Sequence, residues 1–376
     1  MALPCALLIA GVASAATPPF TNTTVVNGNL TPAANGAALL AAVAAANPPA
    51  LVKVEPGFYD LGGQQLVMRS FVDVEGSGRD VTLIESSVNL SASNAVVTVA
   101  SDVAAELREL TVRSTSSSSG VGIDIRASRF LLTEVNVEVE NGTDAVGVRV
   151  IDASPRLNEV FVRVSSTGNA VGFLFGGGGA VVTDSFVFMR AQGGSNTALS
   201  VGNQADVVLE SVVAILVGGS SGAGTAVQVV EGSKAQLNNV RASVAGSSAG
   251  GISVGGFAAD DSSVDIQGSS FRVTGDGSAV ALRLLGSARV TVTGSTLSAE
   301  GPSGATAVQA IGLGYFLDAH QSRFTSTGNA VAKLGGQLLS FGASQLVGGI
   351  LNEEPGTLRC VFTYDDSYTP RAPNCE

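Results

Sequence analysis

Tryptophan is absent from this 376-residue chain, histidine occurs once, and only 14% of residues are charged. Once Cys5 is set aside with the N-terminal apolar segment, one cysteine pair gives no metal-ligand quartet, and no motif for a cofactor is present; neither a metal nor a cofactor is expected. Lysine and arginine total 20 against 31 acidic residues, a net charge of −11. No basic patch or stripe is visible along the chain, so neither nucleic acid nor an anionic membrane is an expected partner. No apolar run approaches the roughly 20 residues that a spanning helix needs, so no membrane span is expected. What is plentiful is glycine, at 47 residues, together with alanine, serine, threonine and valine. Hydrophobic residues still reach 45% and alternate regularly, which suits many short strands joined by tight turns rather than a disordered chain.

The first twenty residues, "MALPCALLIAGVASAATPPF", carry an apolar run from Ala6 to Val12 followed by Ala13-Ser14-Ala15. That pattern matches the end of a secretory signal peptide cut after Ala15 or Ala16, although the usual basic start is missing. Residues 1–15 are therefore read as a signal, and the mature protein is expected outside the cytoplasm, extracellular or periplasmic. Cys5 would leave with the signal. Cys360 and Cys375 remain, in "CVFTYDDSYTPRAPNC", either as a disulfide or as two free thiols; export favours the disulfide.

The string "STGNAV" occurs at Ser166–Val171 and again at Ser326–Val331. Taking its Ala-Val as a marker, similar starts fall at Ala95, Gly120, Ala145, Ala170, Ala198, Ala226, Gly251, Ala279, Ala307 and Ala330. A second marker follows in each unit, reading "LRELTV" at Leu107, "LTEVNV" at Leu132, "LNEVFV" at Leu157 and "VTDSFV" at Val182, and continuing to "FGASQL" at Phe341. Units of about 25 residues hold two or three period-2 stretches, too short for helices and punctuated by Gly, Ser, Asn and Asp. No such unit buries its apolar face alone, so units must stack as coils of a solenoid. Residues 93–350 form this array. Residues 16–92 supply an N-terminal cap and the first coils, with Asn35 expected as N-cap of the helix "GAALLAAVAAA". Residues 351–376 break the pattern and are read as a C-terminal cap.

The segment Val52 to Ser86, with "VEPGFYDL" and "VEGSGRDVTLI", resembles the opening coils of right-handed parallel β-helix proteins of the pectin lyase-like class, pectin methylesterases included. The repeats that follow are similar to that class in period. The resemblance implies an all-β, right-handed parallel β-helix of about 11 coils with an N-terminal capping helix. It implies little about activity, because one fold hosts unrelated chemistries. The Gln-Asp-Thr and Asp-Phe-Ile-Phe-Gly motifs of the methylesterases do not occur, nor do the Gly-His-Gly and Arg-Ile-Lys motifs of polygalacturonase-like hydrolases.

Asp260, Asp261 and Asp265 in "AADDSSVDIQ" read as a turn entering a strand rather than as a hydrolytic carboxylate pair. The sole histidine, His320, shares a polar column with Arg108, Thr133, Asn158 and Thr183, and is expected on the surface. "GFLFGGGGAVV" reads as a widened turn, lacking the Gly-Lys-Ser/Thr ending of a phosphate loop. Phe161, Phe186 and Phe188 alternate with core positions and are read either as corner packing or as exposed rings that stack on sugars. Glu109, Glu134, Glu159 and Asp184 recur every 25 residues and form the one binding candidate, an acidic stripe. Two readings compete for it: a ligand for a cation or cationic molecule, or a solvated corner partnered by Arg108, Arg156 and Arg163. No catalytic residue is assigned. The expectation is a secreted or surface-associated, non-catalytic protein that binds a polysaccharide or cell-surface glycan, or serves as a structural rod. The alternative is a divergent polysaccharide lyase, esterase or hydrolase. The oligomeric state is not predicted.

Overall fold

In the computed structural model, residues 20–87, 95–140, 143–218, 224–246, 252–275, 277–302, 304–335, 338–353 and 357–375 are described. The predicted signal segment lies outside them. The chain winds into a right-handed parallel β-helix of about twelve turns, against the eleven predicted. Each turn carries three short strands, and each strand pairs in parallel with its counterpart one turn on, making three stacks.

The second sequence marker gives the register of the first stack without error. Leu107, Leu132, Leu157, Val182, Leu209, Leu237, Ile266, Val292, Ala319 and Phe341 lie opposite one another in succession. All ten are buried. The first marker is corrected in part: Ala170 pairs with Asn196, not with Ala198, and Gly224 pairs with Ser253. The slip is two residues at Ala198, which leaves Ala198 facing inward because strand side chains alternate with period two. Strand stacking also continues past residue 350. Leu358–Val361 pairs with Leu338–Gly342, setting Cys360 opposite Phe341. Cys360 is bonded to Cys375 at 1.99 Å, tying the terminal loop over the last turn.

At the other end, α1 (Pro32–Ala45) covers the first turn with Leu39 and Val43. Its N-cap is Thr31, not Asn35: Pro32 presets the first helical residue, and Ala34 N donates to Thr31 Oγ1 at 3.4 Å. Asn35 sits inside the helix, where its buried amide donates to the carbonyls of Gly28 and Phe58 and accepts from Leu30 N. Arg69 Nη1 closes the far end, donating to the carbonyls of Val43 and Ala46 at 3.0 Å.

Between the first and second stacks, from Glu109 onward, each turn bends at one residue. Glu159, Asp184, Ser211, Asn239, Gly268, Gly294, Gln321 and Ala343 all take positive φ there, from 47° to 58°. Such a bend interrupts the strand ladder, and the next amide needs an acceptor. After Glu159, Asn239, Gly268, Gly294 and Gln321 a buried serine on the following turn supplies it. Ser269 N donates to Ser295 Oγ at 3.0 Å, Ser295 N to Ser322 Oγ at 3.2 Å, and Ser322 N to Ser344 Oγ at 3.2 Å. Each hydroxyl in turn donates to a carbonyl of its own turn, Ser322 Oγ to His320 O at 2.7 Å. The two "STGNAV" copies are a smaller joint of the same kind, with Gly168 N donating to Ser166 Oγ and Gly328 N to Ser326 Oγ. Ser322→Ala should therefore cost about 1–3 kcal/mol, because the Ser295 amide loses its acceptor inside the rod. Ser322→Thr, keeping the hydroxyl, should cost less. Equal urea midpoints for wild type and Ser322→Ala would contradict the ladder's role.

Candidate functional site

The predicted acidic stripe exists as a column. The register places Glu109 over Glu134, Glu134 over Glu159 and Glu159 over Asp184. All four occupy the left-handed bend, with φ of 57°, 54°, 53° and 47°. The column continues through Ser211, Asn239, Gly268, Gly294, Gln321, Ala343 and Phe362, each with positive φ. Carboxylate, hydroxyl, amide, methyl and phenyl all occur at this position, so what it shares along the rod is backbone conformation rather than charge. Arg108, an expected partner, is engaged elsewhere, with Glu75 and Glu106. Arg79 instead reaches across the column to donate to the Glu159 carbonyl at 3.2 Å. Among the described residues, no group of three or more His, Cys, Asp or Glu is arranged to hold a metal ion.

On the first stack's outer face, Lys53, Asp73, Glu75, Glu106, Arg108 and Thr133 form a network. Arg108 Nε donates to Glu75 Oε2 at 3.0 Å, Lys53 Nζ lies 3.3 Å from Glu75, and Thr133 Oγ1 donates to Glu106 Oε1 at 2.8 Å. Asp73 is only 1% exposed; its Oδ1 accepts from Glu106 N at 2.9 Å, while Oδ2 has no hydrogen-bond partner. Burial holds the Asp73 carboxyl above the usual range; the Glu106 amide offsets this in part, and the Glu106 charge adds to it. Burial also pushes Glu75 upward, but the hydrogen bonds from Arg108 and Lys53 outweigh it and leave Glu75 below the usual range.

The other sequence candidates have structural work. Asp260 and Asp261 both sit at positive φ in the turn between Ile252–Ala258 and Ser263–Gln267, and Asp261 accepts from Ser287. Asp265 accepts from Gln267 Nε2 at 2.8 Å. His320 lies half exposed in its polar column, 3.0 Å from Asp318. Asp124 is buried with one oxygen on Arg149 at 2.7 Å and the other on Arg126 at 3.1 Å. In the glycine loop, Gly177 and Gly178 take φ of 79° and 71°, and a Cβ at Gly178 would meet Ala153 O at 2.2 Å.

The second stack's outer face differs from the rest. Inward positions of its strands hold Val162, Val164, Val187, Met189, Ala214 and Leu216. The alternate positions, which face solvent, carry Phe161, Phe186, Phe188, Val213 and Ile215, all half buried. Register puts Phe161 opposite Phe186 and Phe186 opposite Val213. The Phe161 and Phe186 rings stack in parallel, with centroids 5.0 Å apart and planes 4° apart. Phe173 and Phe175, by contrast, are core residues. Beside the phenylalanines lies a cleft of about 260 Å³ lined by Glu140, Arg163, Ser165, Ser166, Thr167 and Gln192. The aromatic positions were legible from alternation. Val213, Ile215 and their neighbours Arg190 and Arg241 were missed, although the second marker already aligns Phe161, Phe186, Val213 and Arg241 at its fifth position.

Substitutions at two positions test these assignments. At the bend, Glu134→Gly should be neutral or stabilising, while Glu134→Val should destabilise by about 1–2 kcal/mol or more, since a β-branched residue resists positive φ; a loss from both would restore a role for the charge. At Asp73, a carboxyl whose folded value is raised opposes folding when ionised, and the penalty fades as pH falls through the folded value towards the unfolded one near ~3.9. Asp73→Asn should therefore melt above wild type at pH ~7, with the gap closing by pH ~4; a gap that widens on acidification would refute the shift.

No family model matches the sequence, and no curated protein matches it either. Solved structures do resemble it. The A-module of mannuronan C-5 epimerase AlgE6 from Azotobacter vinelandii superposes with a TM-score of 0.53 over 90% of this chain and 96% of that one, at 13% identity. The AlgE4 A-module from the same organism gives 0.47 over 88% and 96%, at 12% identity. The catalytic unit of a GH87 α-1,3-glucanase from Streptomyces thermodiastaticus gives 0.42 over 89% and 67%, at 15% identity. At these identities the likeness is one of backbone. The chain has the pectin lyase-like right-handed parallel β-helix fold.

Proposed function

We propose that this is a secreted or surface-associated β-helix protein that binds a polysaccharide without turning it over. The observation that carries the reading is the stacked Phe161–Phe186 pair on the solvent-facing side of the second stack, continuous with Phe188, Val213 and Ile215. Outward strand positions are normally polar, and an apolar surface kept at them marks a contact surface. Stacked on each other at the strand spacing of about 4.8 Å, the two rings present a rigid apolar edge that suits the C–H faces of a sugar chain. The Cys360–Cys375 disulfide fits an oxidising compartment. The backbone is shared with a module of an enzyme named for its action on mannuronan, which makes a polysaccharide partner reasonable on this scaffold. The non-catalytic part rests on the structural roles of Asp124, Asp260, Asp261 and His320, each tied into a turn or an ion pair.

A glycan array, followed by calorimetry on the bound polymer, tests the reading. Phe161→Ala should weaken binding by about tenfold or more, as for a central aromatic contact, while still unfolding as one cooperative transition, with at most the small loss of stability that the ring stack contributes. Release of reducing ends or unsaturated products from any bound polymer would overturn it in favour of a divergent enzyme.

A further inference from the structure

The chain carries a net charge of −11, yet its aromatic face is bordered by arginines. Arg163 shares a column with Phe188, Arg190 with Ser165, and Arg241 with Val213. All three are exposed outward residues of the second stack. Among the described residues, none of the three has a salt bridge or a side-chain hydrogen bond. Of the other arginines on this face, Arg113 lies 2.6 Å from Glu138 and 3.6 Å from Glu85, and Arg272 is 3.4 Å from Glu300, while Arg323, in the Arg241 column but three turns beyond the apolar patch, has no ion pair among the described residues. Glu138, the column neighbour of Arg163, is thus already held by Arg113. Three uncompensated cations converge around one apolar patch on an acidic protein.

Resting on the glycan-binding reading, we propose that this face, over the four turns from Phe161 to Arg241, selects an anionic polysaccharide, one whose sugars bear carboxylate groups. The phenylalanines take the ring faces. Arg163, Arg190 and Arg241 meet the charged substituents, with guanidinium forks suited to paired oxygens. At about 4.8 Å per turn the arginines span about 14 Å along the rod, the reach of a few sugar units lying along its axis. Unpaired guanidinium groups on the free protein also remove a cost, since no internal ion pair has to break when ligand arrives. A neutral glycan would leave the three charges unused. An anionic lipid surface would use the charges, but it would meet them on a face whose surroundings carry the net negative charge of the chain.

The test uses the full chain with polygalacturonate as the charged probe and dextran as the neutral one. Wild type should bind polygalacturonate more tightly than dextran, and the difference should shrink as sodium chloride is raised. The variant Arg163→Gln/Arg190→Gln/Arg241→Gln should lose about tenfold per arginine on polygalacturonate, in line with one charge-assisted hydrogen bond each, with dextran binding unchanged. Arg272→Gln, on the same face but already paired, should leave both affinities as they are. Phe161→Ala/Phe186→Ala should weaken both polymers. If the arginine variant binds polygalacturonate as wild type does while the phenylalanine variant fails, the charge assignment is overturned and the glycan reading stands. If wild type binds neither polymer, both are overturned. Preferential binding to phosphatidylglycerol vesicles would also overturn the assignment, in favour of a lipid surface. The substituted arginines are exposed, so matching circular dichroism melts would confirm that the variants remain folded.

Discussion

From Glu109 onward each turn changes direction at a residue in the left-handed backbone conformation, and the rest of the rod depends on how that bend is satisfied. The bend interrupts the ladder of strand hydrogen bonds and exposes an amide that belongs to neither stack. No single turn supplies a partner for it. The next turn does, through a carbonyl or a buried serine hydroxyl such as Ser295 or Ser322. Turns are therefore coupled to one another by polar contacts at the corner as well as by the apolar columns inside. This coupling explains why the same position accepts glutamate, serine, asparagine, glycine and alanine along the rod. The backbone is specified there, and the side chain beyond the Cβ is free to vary.

That freedom changes the meaning of the acidic stripe. Four carboxylates at 25-residue spacing look like a ligand set when only their charge and period are considered. On the structure they are four members of a column of bends whose other members have no charge. The carboxylates belong to the N-terminal half of the rod, where Arg79 reaches past them to the Glu159 carbonyl. Charge at this corner is compatible with the fold rather than required by it.

The outward face of the second stack shows the opposite pattern. There the side chains depart from what the strand needs. A solvent-facing position on a parallel stack tolerates almost any polar residue, yet three phenylalanines and two branched aliphatics occupy adjacent ones. Their burial against each other compensates only part of their exposure, as the Phe161–Phe186 stack illustrates. The arginines beside them are uncompensated in a chain where most outward charges on the early turns are paired, Arg113 with Glu138 and Arg149 with Asp124 among them. Sites on a repeat scaffold are recognised in this way, as a local break in the logic of the repeat.

The period, the inward-facing columns and the fold were determined by sequence alone. Two-residue alternation and recurring glycine turns leave stacking as the only means of burying Leu107, Leu132, Leu157 and their successors. The caps were half legible: the apolar face of α1 was visible, but Thr31 and Pro32, not Asn35, start the helix, because Asn35 finds better partners in the carbonyls of Gly28 and Phe58. The second marker also aligns Phe161, Phe186, Val213 and Arg241 at its fifth position, across turns of different length. What only the tertiary structure decided is how those side chains meet: the Phe161 and Phe186 rings stack, while the exposed guanidinium of Arg241 stays out of any ion pair among the described residues. Backbone dihedrals were equally hidden, since nothing in Glu109 or Glu134 announces a positive φ. It is imposed by the closure of the coil.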